Sequence, residues 1–291
     1  MTVYKCTRVG AVTGANKGVG LAIVRQLALQ YPQSALNNGP LLIYLTARNE
    51  ERGQAALQSI RDDPALRNTK ALRAQGGLTD VEYLPLDIES RQSIQDFATT
   101  LKQRHPDGID FLINNAGIAL EGFDENVVRQ TLRCNYYGTL QASQQLLPHI
   151  RDGGRLVNVA SMSGHLTSKY SDTIKSRFRN ASKPEQVSQL MEEYASAVAN
   201  GTYQADWPAN SYSVSKAGLI GATKALAHVN AQSGSKTLIN SCCPGYVSTD
   251  MTKHRGVKTP DEGAQTPVLL ALGHIKDSNG EFWQNEKVIQ W

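Results

Sequence analysis

The chain has 291 residues, with 30 Lys and Arg against 26 Asp and Glu (net +4), and is 40% apolar and 19% charged, which is ordinary for a globular protein able to bury a substantial core. The basic residues are scattered without a run, which argues against a nucleic-acid or membrane-surface stripe, and no apolar stretch approaches the ~18 residues that span a bilayer. Cys6, Cys134, Cys242 and Cys243 form no C-x-x-C and no metal-like grouping with His, and nothing reads as a signal peptide or lipidation site, so the expectation is a reduced, cytoplasmic chain without a metal site.

In chain order, short β-rich runs alternate with longer helical patterns. A strand over 9–13 leads to a helix over 19–29, then a strand over 41–46 and a helix over 50–61. Residues 64–80, with Gly76-Gly77, read as a long surface loop. Strands over 81–86 and 109–114 flank a helix over 92–104, and one long helix is expected over 125–150. A strand over 155–160 precedes 50 positions, 162–211, that interrupt the rhythm. Within them Ser182-Lys-Pro-Glu185 has capping-box spacing, and Val187, Leu190, Met191, Tyr194 and Val198 form an apolar stripe ending at Gly201, so this insertion is folded and packed. A helix over 212–231 and a strand over 236–242 follow. The alternation predicts a single α/β domain, 1–291, with a doubly wound parallel sheet and a helical insertion before the helix that carries Tyr212. Near-continuous apolar strands such as Leu41-Leu-Ile-Tyr-Leu45 suit a sheet covered on both faces.

Four motifs stand on this frame in order: Thr13-Gly-Ala-Asn-Lys-Gly-Val-Gly20, Asn114-Asn-Ala-Gly117, Asn158-Val-Ala-Ser161 and Tyr212-Ser-Val-Ser-Lys216. Gly14, Gly18 and Gly20 follow a strand and open a helix, where glycine permits close approach of a pyrophosphate and the helix N-terminus offers free N–H groups. The spacing is G-x-x-x-G-x-G and not G-x-G-x-x-G, and glycines needed only for a tight turn are the alternative. The second strand ends Leu45-Thr-Ala-Arg48, without the acid that holds a ribose 2′-hydroxyl in NAD-specific folds. Arg48 can fork onto a 2′-phosphate and Lys17 adds a second cation, which favours NADPH; solvated surface charge is the alternative for each. Tyr212 and Lys216, four apart, share a helix face, so the ammonium can stabilise the phenolate of a group whose free pKa is near ~10.

With these residues in view the chain resembles the short-chain dehydrogenase/reductase family, and within it the monomeric NADPH-dependent carbonyl reductases, which share the glycine loop, Leu45-Thr-Ala-Arg48, Cys242-Cys-Pro-Gly245, the insertion and the closing Glu286-Lys-Val-Ile-Gln-Trp291. The resemblance implies a Rossmann-type fold and reduction of aldehydes, ketones or quinones. Tyr212 would donate the proton, Lys216 would lower its pKa and bond the nicotinamide ribose, Ser161 would hold the carbonyl oxygen, and Asn135 would hold a water that reloads the lysine. Asn16, Lys17 and Val19 would join the three glycines around the cofactor, Asn115 would run along a ribose, Asp87 and Ile88 would touch the adenine, and Val247 and Thr249 would grip the carboxamide and pyrophosphate. Ser163 is a rival clamp, Asn135 could serve only the backbone, and Cys243 could be reactive or a buried strand-end thiol. The segment after Gly117 is shorter than is usual in the subgroup, and Tyr246 stands where it often has tryptophan. The insertion implies a monomer, because relatives that tetramerise pair the two long helices it would cover. Alternatives are an alcohol dehydrogenase working oxidatively and a non-catalytic NADP(H)-binding regulator.

Overall fold

The computed structural model describes residues 7–291; Cys6 lies outside them. The elements run β1 (Arg8–Val12), α1 (Gly18–Gln30), β2 (Leu41–Ala47), α2 (Glu50–Asp62), α3 (Pro64–Asn68), β3 (Thr79–Pro85), α4 (Arg91–Arg104), β4 (Ile109–Asn114), α5 (Glu125–Leu132), α6 (Thr139–Leu146), β5 (Ile150–Val159), α7 (Asp172–Asn180), α8 (Pro184–Ala199), α9 (Ser211–Gln232), β6 (Leu238–Cys243), α10 (Pro260–Leu272), β7 (Phe282–Gln284) and β8 (Lys287–Ile289). One eight-stranded sheet has the order β3-β2-β1-β4-β5-β6-β7-β8. It is parallel throughout except for β8, which returns antiparallel to β7.

The pleat explains the two layers. Along β2, Leu41, Ile43 and Leu45 enter one core with α1, α2 and α10, while Leu42 and Tyr44 enter the other with α4, α6 and α9. Both faces are buried, as the unbroken apolar strands require.

Three expectations need correction. The chain is helical over 125–149, as expected, but it is not one α-helix throughout. It breaks into α5, a π-turn at Arg133–Gly138, α6 and a 3-10 turn at Leu147–His149, and Ile150 already belongs to β5. Pro148 sits in that last turn, where a further helical N–H would be needed. Gly138 lies so close to the Ile88 carbonyl that a Cβ there would stand 2.5 Å from the oxygen, so main chain meets main chain at the π-turn.

The stretch 64–80 is not simply a surface loop. Asp63 caps α3 by accepting from Ala65 and Leu66 N–H, at 2.8 and 3.1 Å, and Leu66 is fully buried. A 3-10 turn at Arg73–Gln75 follows, and β3 starts two residues before the expected point.

In the insertion the cap of α8 is shifted by one residue. Gln186, not Glu185, reaches back, accepting from Ser182 and Lys183 N–H at 2.8 and 3.0 Å, with Pro184 opening the helix. Val187, Leu190, Met191 and Tyr194 are buried and Val198 half-buried. They pack with Val128, Leu132 and Tyr136 from the α5 side and Val214 and Ala217 of α9, so the insertion covers the face formed by those two helices.

Candidate active site

The strand order reverses between β1 and β4, which opens a crevice at their carboxyl ends. The glycine loop leaves β1 into this crevice with positive φ at Gly14 (60°) and Gly18 (56°). A Cβ on Gly20 would meet Gly14 O at 2.4 Å and Asn115 Nδ2 at 2.5 Å, so this position admits no side chain. Asn115 ties the loop down by donating from Nδ2 to the Thr13 and Gly14 carbonyls, each at 3.1 Å. Helix α1 begins with Lys17 as an N-cap that forms no side-chain cap, and its first turn holds no acid. Its N-terminus is therefore free to receive an anion. Asn16 and Val19 are half-buried in the same turn.

Both expected phosphate cations already have acidic neighbours. The Arg48 guanidinium is exposed, with Nη1 3.8 Å from Glu89 Oε1, while Arg133 Nε reaches Glu89 Oε2 at 2.8 Å. No acid stands at the end of β2, yet the loop after β3 brings one beside Arg48. Lys17 Nζ lies 2.6 Å from Asp250, on the segment after β6. Thr249 is next to the glycine loop, its Cγ2 3.4 Å from where a Gly18 Cβ would be, and Val247 is buried behind it. Asp87 accepts from Glu89 N–H at 3.0 Å, and Ile88 is buried against the π-turn.

On the other side of the crevice, Asn210 caps α9 by accepting from Ser213 N–H at 2.8 Å, which sets Tyr212 in the first turn and Lys216 one turn on. Lys216 is buried; its Nζ donates to Val159 O at 2.9 Å and lies 5.7 Å from the centre of the Tyr212 ring. Burial pushes the Lys216 ammonium down to about 8. Burial likewise pushes the Tyr212 phenol up to about 12, against the pull of the Ser161 hydroxyl, which favours the anion. Ser161 thus bears on the phenol directly, while the Lys216 ammonium, near the same ring, is bonded to a strand-end carbonyl.

Ser161 follows β5 and caps the 3-10 turn Met162–Gly164, accepting from Ser163 N–H at 3.1 Å. Ser163 is exposed, whereas Ser161 is half-buried beside the tyrosine. Asn135, fully buried in the π-turn, accepts from Ile118 N–H and donates to Ile118 O, both at 2.8 Å, and donates to Ser215 Oγ at 3.1 Å. Both of its amide hydrogens are thus engaged. A methyl on Gly117 would stand 3.2 Å from Asn135 Oδ1 and 3.5 Å from Lys216 Nζ, so the two groups face one point of the chain. Beneath them Asn114 donates to Asn158 and Asn158 to Thr223, each at 2.9 Å, joining β4, β5 and α9.

Cys243 is a buried free thiol at the end of β6, accepting from Gly245 N–H at 3.3 Å. Tyr246 is 53% exposed beyond it. Sequence reasoning missed Glu89, Asp250, Ser215 and Gly117. Ser215 and Gly117 lie inside motifs already singled out and could have been found there. Glu89 and Asp250 are brought in by loops, and only the fold reveals their partners.

Comparison with known proteins gives a consistent picture. The family model described as short chain dehydrogenase matches residues 8–172 and 195–259, passing over 173–194 within the insertion. Carbonyl reductase (NADPH) 1 of Bos taurus and of Homo sapiens are each 35% identical over 294 residues, covering 97% of this chain and 98% of their own. Carbonyl reductase (NADPH) 3 of Rattus norvegicus is 34% identical over 98% of this chain and 99% of its own. In fold, salutaridine reductase from Papaver somniferum aligns with a TM-score of 0.79 at 24% identity, over 95% of this chain and 99% of its own.

Proposed function

The chain belongs to the short chain dehydrogenase family, and from that premise we propose that it reduces carbonyl compounds (aldehydes, ketones or quinones) to alcohols with NADPH, using Tyr212 as the proton donor. The observation that carries this reading is the meeting of Tyr212, Ser161 and a buried Lys216 beside Asn135, at the carboxyl ends of β4 and β5.

The residues present fit the cofactor. A helix N-terminus without a side-chain cap or first-turn acid, opened by glycines at positive φ, suits a pyrophosphate. Gly14, Asn16, Gly18, Val19 and Gly20 would hold it there, with Thr249 and Val247 on the facing segment. Asp87, Ile88 and Asn115 would line the nucleoside, and Arg48 and Lys17 would meet the 2′-phosphate, exchanging contact with Glu89 and Asp250 for it. Bound NADPH supplies the hydride.

The protein's own work is proton delivery and orientation. Ser161 holds the carbonyl oxygen beside Tyr212. The phenol, protonated at neutral pH, gives its proton to that oxygen as negative charge develops there. Lys216 would then orient the nicotinamide ribose and return a proton through Asn135. Because both amide hydrogens of Asn135 are engaged and Oδ1 already accepts from Ile118 N–H, a water on that path would donate to the second lone pair of Oδ1 or to the main-chain carbonyl. Tyr212, Ser161, Lys216 and Asn135 are the catalytic set in this reading.

The substrate is apolar in character. Leu120, Met162, Tyr246, Met251 and Val257 are exposed, and all stand on the loops that follow β4, β5 and β6. We take residues 1–291 as one cofactor-binding and catalytic unit, since both halves of the site are built on the one sheet. The same reading makes the enzyme a cytoplasmic monomer. It is supported by three free thiols and by the helix α8 seated on the α5–α9 face; among the described residues no helix is long and apolar enough to cross a membrane.

The test is a panel of aldehydes, ketones and quinones followed by loss of NADPH absorbance, with Tyr212→Phe beside the wild type. The variant should lose ~10²–10⁴-fold in kcat while its Kd for NADPH stays unchanged. Retention of a tenth or more of the turnover removes Tyr212 from its role. NADPH binding with no turnover on any carbonyl or alcohol would favour a non-catalytic regulator.

A further inference from the structure

Residues beyond the catalytic set control where Ser161 stands. Ser161 and the turn Met162–Gly164 form a short bridge between β5 and the insertion, and Gly164 rests directly on α9. A Cβ on Gly164 would lie 2.6 Å from the Lys216 carbonyl carbon and 2.7 Å from Ala217 N. The turn therefore touches the helix at the lysine itself. Its own hydrogen bonds are short-range, from Gly164 N to Ser161 O at 2.9 Å and from Ser163 N to Ser161 Oγ at 3.1 Å. Such local bonds fix the shape of a turn but not its position over a neighbouring helix.

Before Ser161 the chain is held by Ala160 N–H donating to Cys242 O at 2.7 Å, and at the Gly164 end one long-range side-chain bond holds the turn. The antiparallel return of β8 along β7 brings Trp291 to the turn, and its indole Nε1 donates to Gly164 O at 2.8 Å across 127 positions of sequence. The ring is itself held. It packs edge-on to Phe178 of α7, with centroids 5.9 Å apart. It also lies over Gly221 of α9, where a Cβ would be 3.2 Å from the indole. It further borders the cluster formed by Ala160, Leu219, Ile220, Cys243 and Phe282, and Ala160 is the residue before Ser161. Three elements thus clamp an indole whose one polar group is spent on the turn carrying the oxygen clamp.

We propose that Trp291 is a positioning residue for the reaction: its N–H holds the Met162–Gly164 turn on α9 and thereby sets the Ser161 hydroxyl against Tyr212. This rests on the carbonyl-reduction reading above. It gives the β7–β8 hairpin a task that sheet completion alone does not require. A misplacement of the order of an ångström at a catalytic group can lower turnover ~10²-fold, and loss of one of several restraints should give less, about tenfold.

The experiment uses the full chain with NADPH and whichever carbonyl of the panel the wild type reduces best. Trp291→Phe keeps an aromatic ring on Phe178 and Gly221 but removes the donor. Placing β-(3-benzothienyl)alanine at 291 removes only the N–H, and serves if the phenylalanine variant does not fold. The expected result is a fall of about tenfold in kcat, with KM and Kd for NADPH and the melting temperature near wild type. Adding Ser161→Ala to Trp291→Phe should cost no more than Ser161→Ala alone, because both act through one hydroxyl. An unchanged kcat in the benzothienyl protein overturns the proposal, as does a fall that multiplies with that of Ser161→Ala. An inactive wild type would instead refute the carbonyl-reduction reading itself.

Discussion

Lys216 is a buried cation whose depressed pKa makes it a burden on stability, and replacing it should strengthen the fold. The side chain is 4% exposed, and burial moves its pKa from 10.5 to about 8. Among the described residues no carboxylate pairs with it, and burial pushes the nearby thiols of Cys134 and Cys242 upward, so both stay protonated at neutral pH. The interval from 10.5 to about 8 corresponds to about 3 kcal/mol against folding. Lys216→Met keeps an unbranched side chain in the cavity but loses the bond to Val159 O, worth about 1 kcal/mol. The balance is a gain of about 2 kcal/mol at neutral pH. The sign of the pH dependence follows from proton binding. Below about 8 both states carry the charge and the penalty is full; between about 8 and 10.5 the unfolded chain binds more protons, so wild-type stability rises with pH. Urea unfolding without added NADPH, near pH 7 and again near pH 10, should therefore show Lys216→Met the more stable at the lower pH and the difference shrinking at the higher. A variant less stable than wild type at neutral pH would refute the reasoning, and a gap independent of pH would remove the lysine's titration from it. Turnover should collapse in the same variant, the pattern of a site where function opposes stability.

Arg48→Asp should lower kcat/KM with NADPH far more than with NADH, since a charge-assisted phosphate contact worth about 1.5–3 kcal/mol becomes a repulsion beside Glu89; equal losses would make Arg48 structural. Light scattering at micromolar concentration should give a mass near 31.7 kDa, because α8 already covers the α5–α9 face; a mass near twice that value or above would sink the monomer.

Most of the sheet was legible because its strands are apolar on both faces and bounded by clear turn residues, Leu41–Ala47 and Ile109–Asn114 above all. The break at Arg133–Gly138 was not, since nothing in Arg133-Cys-Asn-Tyr-Tyr-Gly138 departs from helical periodicity. The π-turn arises from tertiary demands: Asn135 bonded to both main-chain groups of Ile118, and Gly138 against Ile88. Helix α3 was hidden in a short segment whose single buried anchor is Leu66. Within the site, the glycine loop and the Tyr212–Lys216 spacing could be read because covalent geometry alone puts them together. What the sequence could not supply was electrostatic context. Arg48 and Lys17 read as unopposed cations, yet Glu89 and Asp250 reach them from loops 41 and 233 positions away. The pull of Ser161 on Tyr212, and the aim of Lys216 at Val159, likewise depend on where β5 ends relative to α9.

The seating of α8 on α5 and α9 also changes how that face responds to dilution. A face covered by a neighbouring subunit is occupied according to the concentration of the protein, and bares its apolar side chains when the partner dissociates. Here the covering helix is joined to α9 through residues 200–210 of the same chain. Its local concentration at the face is set by that tether, of millimolar order for a short connection, and does not vary with expression level. Val187, Leu190, Met191 and Tyr194 stay covered by an intramolecular equilibrium alone, and the π-turn and the helix bearing Tyr212 keep their support however dilute the protein becomes.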